Sequence, residues 1–383
     1  MPPAQRTKNP FTYGDLVADE AFTDREAELA ALTSDLLNGQ NVALIAPRRY
    51  GKSSLVKAAL SKVLADGVLV VEVDLMTTPT KERFAAKLAK SIHDDVASSL
   101  MKAKDALRFV QSLRVVPTVS FDLDGSVRFS FSASRGTEDI DATIERLLEL
   151  PAELAADRGR QLVMFFDEFQ EVTSLDTHLP ALMRSIFQTQ RDVAHLYAGS
   201  KRNMMLTLFT DRNEPFFRSA KTMEIGTIAP PLFAEFIKAQ FDRTNRGVSD
   251  EAVERLLAVT AGHPHATQEL AFALWDEVPE GFTASVADFE DALAAVLRSE
   301  NARFTLVWEN ATQPQKVLLQ AFAAEPGRPF SNGYRLAHDL PPVSGVQRAL
   351  RPLIADELVR KRADGLYELG EPFLREWVLG YAS

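Results

Sequence analysis

The chain has 383 residues, 46% hydrophobic and 25% charged, which suggests two or three domains with ample material for a core. It contains no cysteine, so disulfides and thiolate metal sites are excluded, and its six scattered histidines form no zinc-binding pattern. The formal charge of −10 argues against a surface built throughout to hold nucleic acid, and no apolar run approaches the ~18 residues of a membrane span.

Residues 1–21 are polar and proline-bearing and read as an N-terminal arm with no apolar signal-peptide core, so a cytoplasmic location is expected. A helix is expected over residues 24–39, with Gly39 as its stop. Residues 41–46 form a short apolar run bounded by polar residues and Pro47, the pattern of a buried parallel strand. A helix follows over 53–64, a second strand over 68–75 and a helical stretch over 80–110. Residues 115–131 alternate around Asp124-Gly125 and predict a β-hairpin inserted on the core. Beyond a helix at 139–158 come a third strand at 161–168, a helix at 178–190, a fourth strand at 195–200 and a fifth at 221–226. Strands alternating with helices predict an α/β core over 22–229 with a mainly parallel sheet. Residues 230–310 read as helices without a strand, a helical lid, and 311–383 as helix, helix, helix, hairpin, helix.

The segment Ala46-Pro47-Arg48-Arg49-Tyr50-Gly51-Lys52-Ser53-Ser54 lies between a predicted strand and a predicted helix. Phosphate binding needs that context, because backbone N–H groups of the turn and of the helix N-terminus point at the anion. Gly51 allows close backbone approach, Lys52 reaches the β- and γ-phosphates, and the Ser53 hydroxyl can ligate Mg²⁺. The pattern asks for glycine where Ala46 stands, a difference of one methyl group. The third strand delivers Asp167 and Glu168 at its end; Asp167 is expected to hold Mg²⁺ and Glu168 to act as general base. Together these motifs point to a P-loop NTPase that takes ATP with Mg²⁺.

Ser200 ends the fourth strand, which in such sheets lies between the first and third. It is a candidate sensor of the γ-phosphate; the alternative is a serine that merely closes a strand end. Arg218, in Pro215-Phe216-Phe217-Arg218, is the candidate arginine that meets the γ-phosphate of a neighbouring subunit, with a solvated side chain as the alternative.

With these motifs the chain resembles the archaeal-type ATPases of the AAA+/STAND group, which carry a C-terminal winged helix. The resemblance covers nearly the whole length. Asn9-Pro10-Phe11 with Gly14, then Phe22-Thr23-Asp24-Arg25-Glu26, resembles that family's N-terminal motif, although the family usually has glycine where Asp24 stands. The resemblance implies that Phe22 and Arg25 help to seat the adenine. Phe166-Asp167-Glu168-Phe169-Gln170 is similar to its second nucleotide motif, and Gly199-Ser200 and Pro215-Phe216-Phe217-Arg218 to those that follow. Gly262-His263-Pro264 resembles the motif at a lid helix start, where Pro264 suits the first turn and His263 lies either near the nucleotide or packed between lid helices.

The element order after residue 311 reads as a winged helix. In such modules the third helix enters the major groove and the wing touches phosphate, which would make Gln347, Arg348 and Arg351 on the helix, and Arg360, Lys361 and Arg362 on the wing, the DNA contacts. Residues 301–383 hold ten Lys/Arg against nine Asp/Glu, a net +1, while the rest of the chain carries −11. A near-neutral module of this kind also packs on its own ATPase core or on a protein partner. The expectation is an ATP-hydrolysing switch that binds Mg-ATP between core and lid and controls its winged helix. The rivals are an ATP-gated DNA-binding protein and a nucleotide-holding scaffold that recruits a protein. The sequence leaves homo-oligomer formation open.

Overall fold

Short apolar runs that are too brief for helices become strands covered on both faces. In the computed structural model, which describes residues 8–14, 25–94, 118–121, 127–130, 137–362 and 364–381, they build one half of the chain. The chain divides into two units, Arg25–Gly226, and Met1–Asp24 with Thr227–Ser383. The strands of the first are β1 (Val42–Ile45), β2 (Leu69–Asp74), β3 (Thr118–Phe121), β4 (Val127–Ser130), β5 (Leu162–Asp167), β6 (Val193–Gly199) and β7 (Lys221–Glu224). Five of them form a sheet of order β2-β5-β6-β1-β7, with every pairing parallel. The expected fourth strand thus lies between the first and third. β1 and β6 are wholly buried, while the edge strand β7 is largely exposed and less apolar.

Register decides what emerges at one end of this sheet. Ile45 pairs with Gly199, Phe166 with Tyr197, and Asp74 with Asp167. The residues that leave β1, β5 and β6, namely Ala46, Glu168 and Ser200, therefore share one edge. The helix Lys52–Ala65 buries Leu55, Val56, Ala59, Leu60 and Val63, the spacing of one helical face. Under the strand tips lies an aromatic slab: Phe169 sits 4.5 Å from Tyr197, and Phe187 stacks on His195 at 4.0 Å. Burial pushes the His195 imidazole down to about 3, with the Arg184 charge acting in the same direction, so the ring is neutral.

β3 and β4 form the expected antiparallel hairpin, with Phe121 opposite Val127; its Asp124-Gly125 turn lies outside the described residues. The stretch expected as helix over 80–110 appears as Lys81–Ile92, and residues 95–117 lie outside the description.

The second unit is helical. Pro230–Arg243, Asp250–Thr260, Pro264–Glu277 and Val286–Asn310 are followed by Gln313–Ala324, Asn332–Ala337 and Val343–Ala355. The expectation of no strand over 230–310 is corrected by a two-residue parallel bridge, β8 (Gly247–Val248) with β9 (Thr283–Ala284), too short to leave a periodic signal. β10 (Val359–Lys361) and β11 (Tyr367–Leu369) form an antiparallel wing before the helix Pro372–Tyr381. One apolar core runs through these helices; Asn332–Ala337 meets it only by the half-buried Tyr334. Residues 9–12 lie on this unit. The Asn9 amide donates to the Phe272 carbonyl at 3.0 Å, and the buried Phe11 ring stands 5.5 Å from Phe241. No helix among the described residues is long and apolar enough to cross a membrane.

Candidate functional site

The turn from β1 into the helix Lys52–Ala65 demands unusual backbone. Arg49 has φ 68° and Gly51 φ 83°, both left-handed, and Gly51 has open space where a Cβ would stand. Gly51 occupies the N-cap position without offering a side-chain cap, so the first N–H groups of the helix stay available to an anion. Ala46 is fully buried and donates from its backbone to the Gly199 carbonyl at 3.3 Å. Pro47 is half-buried, Arg48, Arg49 and Ser53 are exposed, and Tyr50, Lys52 and Ser54 are buried.

Lys52 is the hub. Its ammonium lies 2.7 Å from Asp167 Oδ1 and 2.5 Å from Glu168 Oε1, so residues 115 and 116 positions apart in the chain meet at one point. Asp167 Oδ1 also accepts from the Glu168 backbone N–H at 2.9 Å, while Oδ2 makes no hydrogen bond among the described residues. Glu168 has φ 51° and ψ 46°, which turns the chain sharply at the strand end and carries Phe169 into the aromatic slab. Glu168 Oε2 accepts from Gln170 Nε2 at 2.6 Å, from Ser200 Oγ at 2.7 Å and from Ser200 N–H at 3.2 Å. Burial raises the Glu168 pKa, yet the Lys52 charge and the hydrogen bonds from Lys52, Ser200 and Gln170 outweigh it and bring it down to about 2. The carboxylate is ionised across the physiological range.

Lys52, Asp167, Glu168 and Ser200 thus meet at one end of the sheet, and Ser53 and Ser54 follow Lys52 along the helix it opens. The other sequence-predicted residues are placed differently. Arg25 is buried, paired with Glu28 at 2.8 Å and donating to the Gly226 carbonyl at 2.5 Å. Phe22 lies outside the described residues. Arg218 is exposed at φ 52°, its guanidinium 5.2 Å from the Phe217 ring. His263 and Pro264 belong to the other unit. The imidazole Nδ1 of His263 accepts from the Ala266 N–H at 3.3 Å and caps the helix that Pro264 opens. Gln170 received no role from the sequence alone. It closes the motif Phe166-Asp167-Glu168-Phe169-Gln170, which gives its amide no direction; the left-handed turn at Glu168 brings it back onto the carboxylate.

On the winged helix, Gln347, Arg348 and Arg351 are exposed on one side of Val343–Ala355, opposite the buried Val346, Ala349, Leu350 and Leu353. The wing cations are answered locally: Arg360 by Glu368 at 2.7 Å, and Arg362 by Asp364 at 2.9 Å and Glu368 at 3.5 Å. Lys361 lies 5.7 Å from the Tyr367 ring.

Comparison with known proteins agrees with this architecture. Residues 302–380 match a family described as "Probable winged helix domain". The Walker-type ATPase PABY2304 of Pyrococcus abyssi superposes with a TM-score of 0.62 at 17% identity, over 95% of this chain and 99% of that one. The ORC2 protein of Aeropyrum pernix, solved in ADPNP–ADP complexes, gives 0.52 at 14% identity, over 98% of each chain. No curated protein matches the sequence. The likeness is one of fold: an α/β P-loop ATPase architecture with a C-terminal winged helix.

Proposed function

We propose that this chain binds ATP with Mg²⁺ at the strand tips of Arg25–Gly226, hydrolyses it, and acts as a switch whose output is the C-terminal winged helix. In this reading residues 22–229 form the ATPase core, 230–310 the lid and 311–383 the output module. The observation that carries it is the convergence of Lys52, Asp167 and Glu168 within 2.5–2.7 Å beside an uncapped helix N-terminus. The fold likeness to the A. pernix protein solved with ADPNP and ADP supports a nucleotide as the ligand.

The donor set fits Mg²⁺. Among the described residues no group of three or more His, Cys, Asp or Glu forms a metal cage. One carboxylate with an open oxygen and one exposed hydroxyl suit an ion that keeps waters and takes its other ligands from phosphate. Asp167 and Ser53 would hold it, and when bound it would neutralise charge on the phosphate oxygens. Lys52 supplies the fixed positive charge at the tail, and the amides of the turn after Gly51 supply directed donors. Glu168 takes the proton from the attacking water, and Ser200 holds that carboxylate.

The test pairs two variants. Lys52→Ala is expected to lose tight ATP binding in a fluorescent-nucleotide titration; unchanged affinity refutes the site. Glu168→Gln is expected to bind ATP and to release phosphate at least about 100-fold more slowly; wild-type release rates remove Glu168 as the base.

The exposure of Gln347, Arg348 and Arg351 favours a second reading, DNA contact by the third helix of the winged module. A gel-shift series across salt, with and without ATP, tests it; binding that ignores salt or the loss of Arg351 eliminates it.

A further inference from the structure

We propose that Gln170 is a positioning residue for hydrolysis: its amide donor fixes one oxygen of Glu168, so that the other is the oxygen presented to water. The proposal rests on the reading of Glu168 as the base.

Three observations carry it. First, the two carboxylate oxygens of Glu168 have separate partners. Oε2 receives Gln170 Nε2, Ser200 Oγ and Ser200 N–H, whereas Oε1 has Lys52. A lysine drawn toward phosphate releases Oε1 alone, and the carboxylate keeps its rotamer because Oε2 remains held. Second, Gln170 is fully buried, and its Oε1 has no hydrogen-bond partner among the described residues. An orphaned buried amide oxygen is costly, and packing alone would favour an apolar side chain of the same shape. The amide is kept for its donor end, because the flipped amide would set oxygen against the Glu168 carboxylate. Third, room for that orphaned oxygen is made by Gly199. A Cβ there would stand 2.3 Å from Gln170 Oε1 and 2.5 Å from the Met205 side chain. Gly199 and Ser200 at the tip of β6, and Gln170 in the turn Phe169–Glu171, thus form one cradle for a single carboxylate oxygen.

The test compares steady-state ATP hydrolysis and melting temperature for the full chain and for Gln170→Met, which keeps the volume and removes both amide atoms. Gln170→Asn, which keeps the amide but shortens its reach, is the second variant. For both, kcat is expected to fall about tenfold or more with KM within about twofold. Gln170→Met is expected to melt at the wild-type temperature or above it, since its orphaned oxygen is gone. On a Glu168→Gln background neither substitution should reduce turnover further.

A wild-type kcat in both variants overturns the positioning role and leaves the ATPase reading intact. Turnover lost in step with a lowered melting temperature, and regained on cooling, shows a structural role and also overturns it. A wild-type protein that binds ATP without releasing phosphate defeats the hydrolytic reading first, and this proposal with it.

Discussion

The strand tips of the α/β unit and the wing of the winged helix both carry clustered charge, and they handle it in opposite ways. At the tips, Lys52 and Glu168 are buried, and the ion pair joins a helix start to a strand end 116 positions away, with Ser200 of a third element added. On the wing, Arg360 and Arg362 are satisfied by Glu368 and Asp364 of the same hairpin, at half-buried to exposed positions. Removing charged groups from water is costly and persists only where several partners compensate it. Neighbouring charges on a hairpin cost little and contribute little. Buried, convergent charge therefore points to chemistry, and exposed pairing within one hairpin to solvation.

The largest effect expected from this contrast is at Lys52. Lys52→Ala should weaken ATP binding at least about 100-fold, close to ~2.7 kcal/mol, read by calorimetric titration. Next is Gly199→Ala, whose new methyl meets Gln170 and Met205 and should cost about 1–3 kcal/mol in denaturant melts. An effect of similar size comes from acid. The folded Glu168 pKa of about 2 lies below its ordinary value of 4.5, so its contribution to stability is complete above pH 4.5 and is lost as pH falls toward 2. Urea melts over that window should show a steeper loss for the wild type than for Glu168→Gln, and parallel curves would contradict the assignment. The smallest effect is on the wing. Arg360→Ala with Arg362→Ala should shift stability by less than about 1 kcal/mol; a larger loss would erase the contrast drawn above.

Much of the α/β unit was legible because parallel strands buried on both faces read as plain apolar runs. All five sheet strands were expected within two residues of their observed bounds. The meeting of Lys52 with Asp167 and Glu168 was legible for a different reason: their placement at or past strand ends brings them to one edge of the sheet. Ser200 was placed by strand order alone. The β8–β9 bridge was invisible, since two residues carry no period. Gln170 closes a motif the sequence did mark, but its hydrogen bond to Glu168 was not legible, because it depends on the left-handed turn at Glu168. Arg25 illustrates a third case. Its motif suggested a ligand contact, while its observed bonds run to Glu28 and the Gly226 carbonyl.

The paired Lys52 has a consequence for selectivity. On the proposed reading of the site, an anion that enters alone must win the ammonium away from two carboxylates and leave both without their positive partner. A triphosphate that arrives with its own divalent metal ion brings a replacement cation for the carboxylate it displaces. On that reading, the ion pair would act as a filter, disfavouring inorganic phosphate alone relative to a metal-loaded nucleotide.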